Sequence, residues 1–475
     1  MWGRKKFKHP LDRELFWWSE RDPFRVRDLL NGGALILGRA GSGKTSSSGR
    51  TLMQSIVDNP KSGGLILAAK PEDAGDIERI FARARRLDDL VVFDAENLWR
   101  FNFLDYVGKG EARNVVNVMM MIAETLNRGE RGSGEDGDYW KAQCERLLET
   151  AVIALQSAEE RVTPVNLHKF IMTAATNSRQ IAEPSWQAQY HGKVLEKGHE
   201  ASKSPRQAHD HEMAEDFWLL EFPGMADRTR SSILTYATQI LHVFNTGLCK
   251  EMVAGETNIT PDYVLRGGWV LVNFPVSSYG AAGAFITTGW KYLTQMAVLK
   301  RKWDSNDPWC VIWADEFSQL CNSWDAHYIC QARSHGGSLC ALLQSAASIY
   351  AAMKGESGRH QADALLANFS HWIVHSCDPV TAKAAVAKLG RRKEILYSGS
   401  SSPHQDTTIW DMMYGRQHVS ASFSEHYEQV LQDQEFMVGR TGGPENGCLA
   451  DAIVIRSGET FADGKSYKRV TFSQR

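Results

Sequence analysis

The sequence predicts an α/β protein: a mostly parallel sheet flanked by helices and interrupted by an all-helical insertion. Three observations predict it. Gly38 to Thr45 reads Gly-Arg-Ala-Gly-Ser-Gly-Lys-Thr, after the apolar run Ala34–Leu37 and before a helical stretch, Thr45 to Ile56. Strand, glycine loop and helix in that order form the context of a phosphate-binding loop. Strand and helix patterns then alternate through residue 93, which calls for parallel pairing with helices on both faces. Finally, no strand pattern occurs between about residues 106 and 223, and strand signals return at Trp269.

Taken in order, residues 11 to 30 mix Phe16, Trp17, Trp18, Phe24, Val26 and Leu29 with charges. They are expected to wrap the sheet edge and lead into the first strand. Gly63 to Lys70 reads as a second buried strand. Asp73 to Arg86 reads as an amphipathic helix with Ile77, Ile80 and Phe81 on one face, and Leu90 to Phe93 as a third strand. Val115 to Leu126 and Tyr139 to Gln156 have helical spacing, separated by a Gly/acid/Arg loop, Arg128 to Asp138. His191 to His211 is polar and is expected to form an exposed rim. Trp269 to Phe274, Trp309 to Ala314, Ser338 to Leu343 and His371 to Cys377 read as strands; Gly280 to Lys300 and Pro379 to Leu389 read as helices. Ser398 to Ser402 and its surroundings read as a loop. Phe436 to Val438 and Ala452 to Ile455 read as strands around a Gly-rich turn. There is no internal repeat or heptad array.

At 475 residues, with 43% apolar and 23% charged residues, the chain has the composition of a globular protein with room for two or three domains. A formal net charge of −2 excludes a globally basic nucleic-acid binder, so any basic surface must be local. Arg4, Lys5, Lys6 and Lys8 form a basic tail, expected to be solvated, with contact to phosphate or an anionic membrane as the alternative. The eight cysteines contain no Cys-x-x-Cys pair. The crowded group Cys321, His327, Cys330, His335 and Cys340 fits no standard zinc spacing, so reduced, buried thiols are expected. The N-terminus lacks the apolar core of a signal peptide. The longest uncharged run, Gly267 to Trp290, carries Asn273, Pro275, Ser277, Ser278 and Tyr279 in its middle and reads as strand, turn and helix start rather than a membrane span. The sequence therefore predicts a soluble chain.

The chemistry lies at the strand ends. Gly38, Arg39, Ala40, Gly41, Ser42, Gly43, Lys44 and Thr45 form the loop, with the glycines letting the backbone approach phosphate oxygens. Lys44 is placed to reach the β- and γ-phosphates of a nucleotide, and Thr45 to put its hydroxyl on Mg²⁺. The strand Trp309 to Ala314 ends in Asp315 and Glu316. Asp315 is expected to hold Mg²⁺ through water, and Glu316 to orient and polarise the attacking water. Gln344 follows the next strand and is expected to sense the γ-phosphate. Arg333, in Ala-Arg-Ser-His-Gly-Gly, is expected to reach a neighbouring subunit's γ-phosphate as a finger. The wide separation of the acids from the loop argues against small kinases and GTPases, and no guanine-reading Asn-Lys-x-Asp occurs.

These residues together resemble the conjugative coupling ATPases of type IV secretion systems, the TraD and TrwB family. The resemblance rests on Gly38 to Thr45, Arg100-Phe-Asn-Phe-Leu-Asp-Tyr106, Asp138-Tyr-Trp140, Arg230-Ser-Ser, Trp313-Ala-Asp-Glu-Phe317, Ala332-Arg-Ser-His-Gly-Gly, Leu342-Leu-Gln344-Ser and Asp378-Pro-Val-Thr-Ala382. It implies a RecA-like P-loop fold with an inserted all-α domain, assembled as a ring, expected to be a homo-hexamer. ATP and Mg²⁺ are the implied cofactors. DNA, a relaxase or other secretion substrates, and type IV secretion components are the implied partners. Lys44, Thr45, Asp315, Glu316, Arg333 and Gln344 match the family's phosphate, Mg²⁺, catalytic, finger and sensor positions. Two departures stand out. Family members usually carry N-terminal membrane helices, whereas 37 residues precede the loop here, and Ala69-Lys-Pro-Glu72 stands where Asp-Pro-Lys-Gly is usual.

The expected division is an N-terminal arm (1–30), a nucleotide-binding domain in two parts (31–105 and 224–475) and the helical insertion (106–223). The expected location is cytoplasmic, or peripheral at the inner membrane through partners. The expected function is an ATP-driven motor that delivers DNA or DNA-bound protein. The alternatives are a nucleotide-switched recruitment platform and a soluble HerA/FtsK-like translocase of a defence or mobile-element system.

Overall fold

The computed structural model describes residues 9–126, 135–201, 204–353, 355–403 and 417–474. The basic tail and most of the Arg128 to Asp138 stretch lie outside the described residues; 135–138 belong to the helix Glu135–Ser157.

Thirteen strands are described: β1 (Glu14–Ser19), β2 (Asp22–Arg25), β3 (Ala34–Leu37), β4 (Ser62–Leu67), β5 (Leu90–Phe93), β6 (Trp269–Val272), β7 (Trp309–Ala314), β8 (Gly337–Leu343), β9 (His371–Val374), β10 (Arg391–Pro403), β11 (Gln417–Gln429), β12 (Leu449–Arg456) and β13 (Tyr467–Ser473). Nine of them make one sheet in the order β13-β12-β9-β3-β8-β7-β4-β6-β5. From β9 to β5 all neighbours are parallel, and β12 and β13 close the edge antiparallel. The parallel strands read as unbroken apolar runs because helices cover both faces. Alternate residues feed two cores: Leu35, Leu37, Leu65 and Leu67 point to one, Ala34, Ile36 and Ile66 to the other.

Between β5 and β6 the described elements are all helices, from Phe103–Val107 to Pro261–Leu265. Their centre is Glu135–Ser157, whose Leu147, Leu148, Ala151, Val152 and Leu155 are fully buried. This body meets the sheet layer where the helix Ala112–Leu126 packs on the long helix Val276–Lys300. That helix breaks at Gly280, whose φ of 52° is open to glycine.

Several elements differ from the sequence reading. The arm folds back as the antiparallel hairpin β1–β2. Ser398 to Ser402, read as loop, lies in β10, paired along thirteen residues with β11. These strands are polar and find their partner far along the chain, so local apolar alternation carries no signal for them. Phe436 and Met437, read as strand, sit in a helical turn, Gln434–Met437, with Phe436 buried and its carbonyl accepting from the Cys377 amide at 3.1 Å. The region from His191 to His211 is not a uniformly exposed rim: His191 and His211 are buried. The His191 ring stacks on Phe170 with centroids 3.9 Å apart, and burial lowers its pKa to about 4.

One buried ion pair lies behind the Asp315-Glu316 turn. Lys291, on the long helix, donates to Asp325 Oδ2 at 2.5 Å and to the Leu320 carbonyl at 2.6 Å; both charged side chains are fully buried. Asp325 also accepts from Gln295 Nε2 at 2.7 Å and from the Asn322 amide at 2.8 Å. Removing one member of such a pair strands a charge in low dielectric. Lys291→Met should therefore lower stability by about 3–5 kcal/mol in urea unfolding. Lys291→Met with Asp325→Leu should recover part of that loss; a single variant as stable as wild type would show that the pair carries no such weight.

Candidate nucleotide site

The strand order decides what meets at the carboxyl edge of the sheet. β3 carries the glycine loop, β7 carries the acids, and β8 runs between them. With strands about 4.8 Å apart, β7 lies about 10 Å from β3, and the tip of β8 falls in the gap. Gln344 occupies that tip.

The loop is anchored at both sides. The Gly38 amide donates to Leu343 O at 3.2 Å and the Arg39 amide to Ser376 O at 2.9 Å, tying it to β8 and to the end of β9. Gly41 and Gly43 have φ of 73° and 82°, where a side chain is strained. A Cβ on Gly43 would also stand 2.9 Å from Thr441 O, so the turn before β12 roofs the loop. Arg39 and Ala40 are exposed, while Ser42 and Lys44 are buried. The chain then enters a wide turn, Thr45–Gly49, with the Gly49 amide on Lys44 O at 2.8 Å, before the helix Arg50–Val57.

Thr45 Oγ1 lies 3.4 Å from Asp315 Oδ2, although 270 residues separate them in sequence. Asp315 Oδ1 accepts from the Glu316 amide at 2.8 Å, which steadies Glu316 in the left-handed region at φ 46°, ψ 43°. Such a backbone costs about 1–3 kcal/mol in a non-glycine residue. It turns the Glu316 carboxylate towards β8, where Gln344 Nε2 donates to Oε1 at 2.7 Å. The cleft bounded by Lys44, Thr45, Asp315, Glu316 and Gln344 has a volume of about 390 Å³ and continues past Asp73 and Asp76 on the next helix. Lys70, in the departure from the usual family sequence, is exposed on its wall, and its amide donates to Asp73 Oδ2 at 2.9 Å.

The donors fit a nucleotide with Mg²⁺. A hydroxyl and a carboxylate are the hard oxygen ligands this ion takes beside phosphate oxygens. The buried Ser42 hydroxyl has no hydrogen-bond partner in the described structure, and the Gly41 backbone opens onto free space.

Three features lie outside the reach of sequence reasoning. Ser48 Oγ lies 2.7 Å from His375 Nε2, and His375 Nδ1 lies 2.9 Å from Asp451 O. Burial lowers the His375 pKa to about 4, so the ring is neutral. A carbonyl only accepts, so Nδ1 carries the proton and Nε2 accepts from Ser48. This bridge ties the turn after Lys44 to β9 and β12. Gln474 supplies a second brace, donating to Ser46 Oγ at 2.7 Å. The third feature is the position of Arg333. It precedes β8 and donates to Asn31 Oδ1 at 3.1 Å, at the amino edge of the sheet. Seven residues of β8 at about 3.3 Å each, about 23 Å of strand, lie between it and Gln344. The structure therefore brings Lys44, Thr45, Asp315, Glu316 and Gln344 together and leaves Arg333 apart.

The cysteine–histidine group does not assemble. Cys321 and Cys340 are buried, Cys330 is exposed, and His335 Nδ1 meets Arg301 O at 2.9 Å. Among the described residues none of the five joins a metal-sized cluster, and none of the eight cysteines is in a disulfide.

The fold and cleft define a RecA-like P-loop nucleotide-binding protein. The type IV secretory system conjugative DNA transfer family matches residues 80–409, more than half of the chain. The protein belongs to that family. The match includes the acids, Arg333, Gln344 and the helical body, and begins after the glycine loop. No curated protein matches the sequence. Among solved structures, the unbound bacterial conjugative coupling protein TrwBdeltaN70 shares 14% identity at a TM-score of 0.60, covering 99% of this chain and 90% of that one. The plasmid coupling protein TrwB in complex with ADP and Mg²⁺ shares 14% identity at 0.59, covering 96% and 88%. TrwB with a non-hydrolysable ATP analogue shares 15% identity at 0.57, covering 99% and 92%. Among the described residues no helix is long and apolar enough to cross a membrane.

Burial raises the Asp315 carboxyl above its ordinary range, with Lys44 partly opposing. An acid whose folded pKa is raised favours folding in its protonated form, and that contribution is lost as pH rises through the folded value. Asp315→Asn cannot ionise. It should raise the thermal midpoint of the nucleotide-free protein at about pH 8, with the gap closing towards about pH 4. A lower midpoint for the variant at the higher pH would contradict this account.

Proposed function

We propose that the protein is an ATP-hydrolysing motor that couples DNA, or DNA-bound protein, to conjugative transfer through type IV secretion components. The observation that carries this is the meeting of Thr45, Asp315, Glu316 and Gln344 beside Lys44 at one sheet edge, in a chain of the conjugative DNA transfer family. Lys44 neutralises the β- and γ-phosphates, and Thr45 and Asp315 hold Mg²⁺. Mg²⁺, when bound, offsets charge on the phosphate oxygens. Glu316 takes a proton from the attacking water as its oxygen bonds to the γ-phosphorus and the bond to ADP breaks. Gln344 holds one carboxylate oxygen, leaving the other for that water, and links the γ-phosphate to β8. The TrwB complexes with ADP and Mg²⁺ and with an ATP analogue support this reading by fold.

The proposal includes a division into an arm (1–30), a two-part motor domain (31–105 and 224–475) and a helical domain (106–223). It also includes a homo-hexameric ring, relaxase or other cargo, and a cytoplasmic place peripheral to the inner membrane through partners. Arg333 completes the site of the next subunit, which its distance from its own cleft favours.

ATP turnover should rise with single- or double-stranded DNA at low salt, and the rise should fade with added salt because backbone phosphates dominate binding. Glu316→Gln should keep ATP binding and slow turnover by about 10²-fold or more. Turnover indifferent to DNA, with partner capture that survives Lys44→Ala, would favour a recruitment platform instead. Arg333→Ala and Lys44→Ala chains, each inactive alone, should regain activity when co-assembled, since some interfaces then pair an intact loop with an intact finger. Absence of rescue in mixed rings verified by mass would remove Arg333 from the neighbouring site.

A further inference from the structure

Outside the nucleotide cleft, the helical body carries a second group of donor side chains. Helix Tyr190–Glu200 ends with His199 in its last turn, and helix Pro205–Asp216 presents His211 and Glu215 one turn apart. Positions i and i+4 share a helix face, so His211 and Glu215 point the same way. His199 Nδ1 lies 3.3 Å from Glu215 Oε1, and the same oxygen lies 3.2 Å from His211 Nε2. All three donor atoms fall within 4.8 Å of one another.

These spacings fit one chemistry better than another. An imidazolium–carboxylate hydrogen bond closes to about 2.7–2.9 Å. Donors around a tetrahedral metal at about 2.0–2.1 Å stand about 3.3 Å apart. Two edges of the triangle have the second spacing. The packing also holds His211 in place: a Cβ on Gly198 would stand 2.6 Å from His211 Cε1, so the bare backbone beside His199 is what admits the ring. The His211 side chain is 3% exposed, Glu215 21% and His199 75%, which leaves one side open to entering ions and to a fourth, water ligand.

We propose that His199, His211 and Glu215 bind a divalent transition-metal ion of the zinc class, which clamps these two helices together. Two imidazoles and one carboxylate suit Zn²⁺ or Co²⁺ and are too nitrogen-rich for Mg²⁺ or Ca²⁺. The three-ligand set keeps one coordination position open. The site shares no residue with the nucleotide cleft and does not depend on how that cleft is read.

The test is titration of the tag-free, nucleotide-free full chain with Co²⁺. The expected result is one Co²⁺ per chain with the intense visible bands of tetrahedral coordination, displaced by Zn²⁺, and a higher thermal midpoint with Zn²⁺. His199→Ala, an exposed position that leaves folding intact, should lose the bands and the thermal shift and weaken Co²⁺ binding at least about tenfold. Glu215→Gln should do the same, while Asp315→Asn should keep the bands. Tetrahedral bands absent from the wild type, or unchanged in both His199→Ala and Glu215→Gln, would overturn the proposal.

Discussion

The placement of β8 between β3 and β7 is the constraint on which the site depends. Parallel strands put all their carboxyl ends on one edge, but only the order decides which ends are neighbours. With β8 in the gap, the loop and the acids stand two strands apart, and side chains must bridge the distance. Thr45 and Asp315 do so at 3.4 Å, and Gln344 fills the space between with its amide on Glu316. In a sheet where β3 and β7 were neighbours, the acids would crowd the loop and no residue could stand between the phosphate and the Glu316 carboxylate.

That edge is held from behind on both flanks. Glu316 occupies a backbone region that a glutamate adopts only if its surroundings impose it. The segment immediately after it is pinned by Lys291, which grips the Leu320 carbonyl and Asp325 while lying 5.2 Å from the Phe317 ring. On the other flank, neutral His375 joins the turn after Lys44 to β12, and Gln474 reaches Ser46. The antiparallel pair β12–β13 therefore does more than cap a sheet edge: it fixes the posture of the phosphate loop. Buried polar groups of this kind are costly unless partnered, and here Lys291, Gln295 and Ser48 reach partners on elements distant in sequence.

Much of this is legible in the chain because it is local. Ala34–Leu37, Leu90–Phe93, Trp309–Ala314 and the helix Pro379–Leu389 have the bounds that their apolar runs and flanking residues imply. The loop and the acid pair announce themselves by residue type at a strand end. What is not legible is pairing. No pattern in Gly337–Leu343 says that β8 enters between two earlier strands, nor does any say that the polar segments 391–403 and 417–429 find each other. His375 reads as one more residue of a strand, because its two partners lie 327 and 76 positions away. His191 and His211 read as solvent-facing residues of a polar stretch, and packing against Phe170 and Gly198 buries them.

Arg333 shows how position alone can limit function. An arginine at the amino edge of the sheet is separated from its own cleft by the whole length of β8, and the rigid strand cannot shorten that distance. Its guanidinium contacts Asn31, the residue pair lying where β3 and β8 begin, so the two strands that end at the phosphate site also begin at the arginine. Gln344 and Arg333 thus stand at opposite ends of one segment: β8 is buried and hydrogen-bonded to both β3 and β7, and a short helical turn ending at Gly336, with φ 64°, lies between its start and Arg333.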